Sequence, residues 1–204
     1  MKTTRSYTMD ARARAVEETR TRIADAMVDL VSSRRLADVS LDDVAAAAGV
    51  SVQTVLRHYG SRSGLIESVR EYATARVDEE RSAPVGDLDR ALRVLLDHYE
   101  KRGPMALLLL AQEDDDPLIA SITANGKAMH RTWVATVFAP HLQLEGAHES
   151  RDEALLDLLV VATDVYTWKL LRRDRGLSRS RTQDRMATLV RAVLGTAAND
   201  TKEN

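Results

Sequence analysis

Apolar residues recur along this chain at intervals of three and four, the spacing of one face of an α-helix, and no stretch alternates apolar with polar as a strand does. Ile23, Ala26, Met27, Leu30 and Val31 form one such stripe. Val44, Ala45 and Ala48 form a second, narrow one, and Val52, Val55, Leu56 and Tyr59 a third. Leu65, Ile66, Val69, Tyr72 and Ala73 then open a long helix, which the turn at 82–86, containing Pro84, brings to an end. Further on, Asp87 is placed to cap a helix running to Arg102, and Gly103 with Pro104 reads as a stop followed by a start. Asp116 and Pro117 launch a helix carrying Ile122, Met129, Trp133 and Phe138. Ser150 with Glu153 reads as a capping box for a helix that is apolar nearly all round over 155–161 and ends near Gly176. Ser180 with Gln183 caps a last helix bearing Met186, Leu189, Val190, Val193 and Leu194. The expected fold class is all-α.

Residues 40–59 carry the most specific signal. Ser40 stands three residues before Asp43, the spacing at which hydroxyl and carboxylate satisfy the first free N–H groups of a helix. Gly49 suits the left-handed conformation that ends such a helix, and Ser51 is placed to cap the next. Two short helices around a tight glycine turn form a helix-turn-helix, whose second helix enters the major groove of DNA. On that second helix Gln53, Thr54, Arg57 and His58 occupy the stripe opposite the apolar one. Gln53 can pair with an adenine edge and Arg57 with guanine O6 and N7, while Thr54 and His58 suit phosphate oxygens.

Over 49–65 the chain resembles the DNA-binding domain of the TetR family of bacterial transcription regulators, on Gly49, Val50, Ser51, Thr54, Val55, His58, Tyr59, Ser61 and Leu65. Arg62 stands where that family's pattern has lysine, and Leu56 where it commonly has a tyrosine. The resemblance implies phosphate contacts from Thr54, His58 and Arg62, with Ser40 and Ser51 at the DNA-facing helix starts. Leu56 is left as either a contact to a thymine methyl or a core residue. The N-terminus of the helix that begins near Arg62 is a further natural phosphate site.

Net charge is −2, with +2 over residues 1–70 and −4 over the remainder. Lys2, Arg5, Arg12, Arg14, Arg20 and Arg22 face only Asp10, Glu17 and Glu18, so residues 1–15 read as a flexible basic arm suited to DNA. The chain has no cysteine, which excludes disulfides and thiol chemistry. The five histidines include no H-x-x-x-H pair, and no nucleophile elbow, phosphate loop or dinucleotide fingerprint occurs, so neither a metal, a cofactor nor an enzyme is expected. No apolar run follows Met1, and the longest, 105–111, is far short of the ~20 residues that span a bilayer, so a cytoplasmic location is expected.

The expected organisation is a basic arm at 1–15, a DNA-binding domain with linking helix at 16–80, and a helical ligand-binding and dimerisation domain at 81–204. Two long C-terminal helices with more apolar surface than one small domain can hide suggest a homodimer through a four-helix bundle. Tyr99, Met105, Gln112, Trp133, Thr136, Val137 and Tyr166 combine large apolar surface with a few polar groups, as a small-molecule site does. Glu113 and Asp114–Asp116 read as a capping turn. Together these features describe a repressor that binds a palindromic operator and is released by a small hydrophobic effector. A constitutive architectural DNA-binding dimer is the alternative, and a C-terminal docking surface for another protein is a third possibility.

Overall fold

A computed structural model describes residues 3–142 and 149–200, with side chains described over 11–142 and 152–195. The described chain is helical and contains no strand. It divides into two compact units, Met1–Arg76 and Val77–Asn204.

The first unit is built on α1 (Thr3–Val31), α2 (Leu41–Ala48), α3 (Val52–Tyr59) and the first four turns of α4 (Arg62–Glu80). Residues 3–15 are helical rather than a flexible arm. Neither glycine nor proline interrupts residues 3–31, and alanine, arginine and glutamate favour propagation of the helix towards the N-terminus. Ile23, Ala24, Ala26 and Met27 are buried, with Val44, Ala45 and Ala48 of α2, Val55 of α3 and Leu65, Ile66 and Val69 of α4. Small residues on α2 let α1 cross closely on one side and α3 on the other. A 3₁₀ turn, Leu36–Asp38, buries Leu36 between α1 and α2. Farther along α4, the Tyr72 hydroxyl donates to Asp25 at 2.7 Å and Arg76 meets the same carboxylate at 3.0 Å, fastening α4 to α1.

The second unit comprises α5 (Leu88–Leu110), α6 (Pro117–Val137), α7 (Glu149–Thr163), α8 (Val165–Lys169) and α9 (Arg179–Asp200). Asp87 and Asp116 cap α5 and α6 as their spacing predicts, with Pro117 in the first turn of α6. Leu92, Leu95, Leu96, Tyr99, Val134, Phe138, Leu156, Leu159, Trp168, Met186 and Val190 belong to one core.

Three boundaries differ from expectation. Gly103 and Pro104 do not divide α5. The helix loses the bond that Pro104 cannot donate to the Glu100 carbonyl, yet Leu92, Leu95 and Leu96 before the break and Leu107 and Leu110 after it pack on the same core, which holds both halves in line. The apolar helix after 149 does not run to Gly176. Asp164 leaves the helical conformation and caps α8 through the Tyr166 N–H at 2.8 Å, and a π-helical turn, Leu170–Asp174, follows. Finally, α9 starts two residues earlier than a Ser180 cap requires: Ser178 Oγ accepts from the Arg181 N–H, and Arg179 takes the Gln183 side chain that a Ser180 capping box would have used. Ser150 of the expected Ser150–Glu153 box lies outside the described side chains. Among the described residues no helix is long and apolar enough to cross a membrane.

Gly103 is where α5 meets Trp168 most closely: a Cβ there would lie 2.6 Å from Cζ3 of the fully buried indole. Gly103→Ala is therefore expected to destabilise the protein by about 1–3 kcal/mol through overpacking. Urea unfolding followed by tryptophan fluorescence reads this, and an unchanged midpoint would contradict the packing.

Candidate functional site

The helix-turn-helix is assembled from local hydrogen bonds. The Asp43 N–H donates to Ser40 Oγ at 3.1 Å and the Ser40 N–H returns a bond to Asp43 Oδ2 at 2.8 Å, completing the expected capping box. The Ser40 hydroxyl donates to the same carboxylate at 2.6 Å. These Ser40 bonds, and then Arg34 at 3.2 Å, hold the Asp43 carboxyl far below the usual carboxylate range. Gly49 ends α2 at φ 65°, a left-handed conformation that costs glycine nothing, and the Val50 N–H reaches the Ala45 carbonyl at 2.9 Å. Ser51 then caps α3 by accepting the Thr54 N–H at 3.1 Å.

On α3 the two faces separate as the sequence pattern predicts. Val55 is fully buried and anchors the helix, while Val52 and Leu56 are half-buried. Tyr59 is tied to α1, its hydroxyl donating to the Arg20 carbonyl at 3.0 Å and its ring lying under the Arg20 guanidinium at 5.7 Å. Gln53 and Arg57 are exposed, with Thr54 and His58 half-buried beside them. Desolvation, followed by the Arg57 and Arg20 charges, pushes the His58 imidazole below its usual range, so that it is neutral at neutral pH.

Several expected contacts already have structural work. The Ser40 hydroxyl proton is committed to Asp43, which leaves Ser40 no side-chain donor for a phosphate. The Ser51 and Thr54 hydroxyls share one hydrogen bond of 2.9 Å, so one of their two protons remains available to a phosphate oxygen. Arg62 departs most from expectation. Its Nε–H donates to the Val39 carbonyl at 3.2 Å and Nη2 to the Leu36 carbonyl at 2.6 Å, so the guanidinium staples the 3₁₀ turn to the start of α4 with two of its five N–H groups. A planar fork can bridge two carbonyls where the single ammonium of lysine cannot do so in the same fixed geometry, which explains why the charge is drawn inward. At the start of α4 the Gly64 N–H is satisfied by Ser61 Oγ at 3.0 Å.

The residues expected around a small molecule divide into two groups. Tyr99 and Val137 are buried in the core of the second unit, with Trp133 packed against it. Gln112 is buried and donates to the Leu108 carbonyl, and Met105 is half-buried. Thr136 and Tyr166, by contrast, are at the surface, Tyr166 being 50% exposed. The cap at Asp164 restarts the helix in a phase that turns Trp168 inward and Tyr166 outward.

Sequence reasoning missed the polar cluster beside Tyr99 and Trp133. The Trp133 indole N–H donates to the Arg81 carbonyl at 2.7 Å, and the Arg81 side chain reaches His130 Nδ1 at 2.7 Å. His130 Nε2 meets Thr163 Oγ1 at 3.2 Å, and the Tyr99 hydroxyl donates to the Thr163 carbonyl at 2.9 Å. Nearby in sequence, Glu80 takes two bonds from Arg102, at 2.7 and 2.8 Å, together with Lys101 at 2.6 Å and His98 at 3.3 Å. The hydrogen bonds from Arg102 hold the Glu80 carboxyl down at about 2. Desolvation is the main cause that lowers His98 to about 4 and His130 to about 3, and the Arg81 charge adds to both. No local spacing announces partners as far apart as Arg81 and His130.

The family model described as "Bacterial regulatory proteins, tetR family" matches residues 23–69, the stretch that holds the last third of α1, all of α2 and α3 and the start of α4. Over these residues the chain is similar to the tetR family of bacterial regulatory proteins. It is 29% identical over 133 residues to the HTH-type transcriptional regulator AlkX of Mycobacterium tuberculosis, a match that covers 56% of this chain and 63% of that regulator, less than two thirds of its length. A tetR-family regulator from Streptomyces coelicolor has the same fold, with a TM-score of 0.71 at 20% identity over 92% of this chain and 85% of the other. A TetR-like regulator from Rhodococcus sp. RHA1 gives 0.62 at 20% identity over 87% and 96%.

The two buried histidines give a pH signature. Each is neutral when folded and protonates near 6.5 when unfolded, so the unfolded chain binds more protons as pH falls below about 6.5, and stability must fall with it. The slope is at most about 1.4 kcal/mol per pH unit for each histidine. Chemical denaturation at pH 7 and pH 5 is expected to show the loss, and His130→Asn to reduce it; a flat profile over that range would contradict neutral burial.

Proposed function

We propose that this protein is a homodimeric repressor of the tetR family that reads a palindromic operator through Gln53, Thr54, Arg57 and His58 and is released by a small molecule. The exposed pair Gln53 and Arg57, on a helix pinned from beneath by Val55 and Tyr59, carries this reading. These are the side chains best able to make paired hydrogen bonds to base edges, and the buried anchor keeps them from following the DNA passively. Residues 16–80 are the proposed DNA-binding part and 81–204 the proposed effector and dimerisation part.

Dimerisation is supported by apolar surface on two helices that pack on one another. Leu158 is 56% exposed and Val161 62% on α7, with Leu189 41% exposed on α9. A second copy related by a two-fold axis would cover these residues and place two α3 helices on two half-sites. Effector control is supported by α4, which begins beside the helix-turn-helix at Arg62 and ends at Glu80, where Arg102 of α5 grips it. A molecule that shifts this end of α4 changes the separation of two heads on DNA, for which a coupling on the order of 1–3 kcal/mol suffices.

Selection from a random duplex pool is expected to enrich one palindrome, preferred over scrambled DNA by about a thousandfold or more. Arg57→Ala is expected to weaken binding to that site by about 1–3 kcal/mol and random DNA much less. Equal losses on both would make Arg57 a phosphate contact, and failure to enrich any sequence would favour the architectural alternative. Leu158→Glu combined with Val161→Glu is expected to give monomers in sedimentation and to abolish preference for the full palindrome over a half-site. An unchanged dimer mass would move the interface elsewhere.

A further inference from the structure

We infer that Arg81 is an anion-binding residue, and that the effector this protein takes is an organic monoanion, a carboxylate on an apolar body. This inference rests on the effector reading above and narrows it to a chemical class.

Arg81 sits immediately after α4 and is only 6% exposed. Its guanidinium lies over the Trp133 ring, 4.7 Å from the centroid, and its Nη2 donates to His130 Nδ1 at 2.7 Å. Because an arginine has only protons to give, Nδ1 is the acceptor, and the imidazole proton sits on Nε2, facing Thr163 Oγ1. The Thr163 hydroxyl in turn donates to the Leu159 carbonyl at 2.7 Å. Every partner in this chain is neutral. The Arg81 Nε–H, buried with the rest, has no hydrogen-bond acceptor.

A buried cation ordinarily has a carboxylate against it. Among the described residues none lies in ion-pair contact with Arg81. Glu80, its neighbour in sequence, is taken by Arg102, Lys101 and His98, while Asp78 and Asp164 act on Arg81 only through space. A lysine so placed would shed its proton, but a guanidinium does not, so the charge persists. A water molecule could accept the Nε–H without cancelling the charge. An anion does both. One uncompensated positive charge and one orphan donor match a singly charged carboxylate, and the Trp133 and Tyr99 rings at this locus suit an apolar remainder.

The test uses the full-length protein at pH 7.5 and fixed ionic strength, with octanoate and benzoate as probes, octanamide and benzamide as their neutral counterparts, and acetate as the headgroup alone. Calorimetric titration and thermal melting are expected to show saturable binding of at least one of the two larger acids, with its amide at least about tenfold weaker and acetate weaker still. Arg81→Met is expected to erase the difference between acid and amide, and Arg81→Lys to keep part of it. Equal binding of acid and amide, no binding of either larger acid, or undiminished acid binding by Arg81→Met would overturn the inference. The comparison of acid with amide needs no variant, so it stands if Arg81→Met fails to fold. Release of the selected operator is scored separately. An amide that releases DNA as well as its acid leaves effector control in place and removes the anion; an acid that binds through Arg81 without releasing DNA does the reverse.

Discussion

The left-handed turn at Gly49 is the constraint on which the helix-turn-helix depends. It sets the angle between α2 and α3, and only with that angle does Val55 point into the core while Gln53 and Arg57 point out. The side-chain caps that start α2 and α3 make the turn inexpensive. Ser40 with Asp43, and Ser51 with Thr54, satisfy N–H groups that two eight-residue helices would otherwise leave open, and helices so short have little stability of their own. Arg62 and Tyr59 then close the assembly from the far side, one holding the 3₁₀ turn through two carbonyls and the other reaching α1. Both side chains thus help to hold the helix that exposes Gln53 and Arg57.

The second unit combines an apolar core with an unusual polar locus. Trp168, closed over Gly103, is the centre of the packing, and its indole N–H still finds Glu100, which Arg172 also grips. Around Arg81 the satisfaction is incomplete. Two histidines are kept neutral by burial beside a cation that cannot be neutralised, a combination that costs stability unless something supplies negative charge. A regulator that gains stability when an anion arrives has a direct means of coupling occupancy to conformation, since Arg81 follows directly on the last residue of α4.

What was legible in the sequence was what depends on residues three or four apart. The Ser40 and Ser51 caps, the Gly49 turn, the Asp116–Pro117 start and the two faces of α3 are all local, and all are found. The departures come from distant partners. Pro104 fails to break α5 because both halves share a core, and Arg62 turns inward because carbonyls at Leu36 and Val39 await it. Arg81 and His130 meet across 49 positions and left no mark in any periodicity.

The central claim is that α3 reads bases through Arg57 in two symmetric half-sites, and dimethyl sulfate protection of the selected duplex tests it most directly, because that reagent methylates guanine N7 in the major groove. The account predicts one protected guanine in each half-site, related by the dyad, with both becoming reactive for Arg57→Ala while protection elsewhere persists. Uniform reactivity of the major-groove guanines in the bound complex, or protection that survives loss of Arg57, would contradict it.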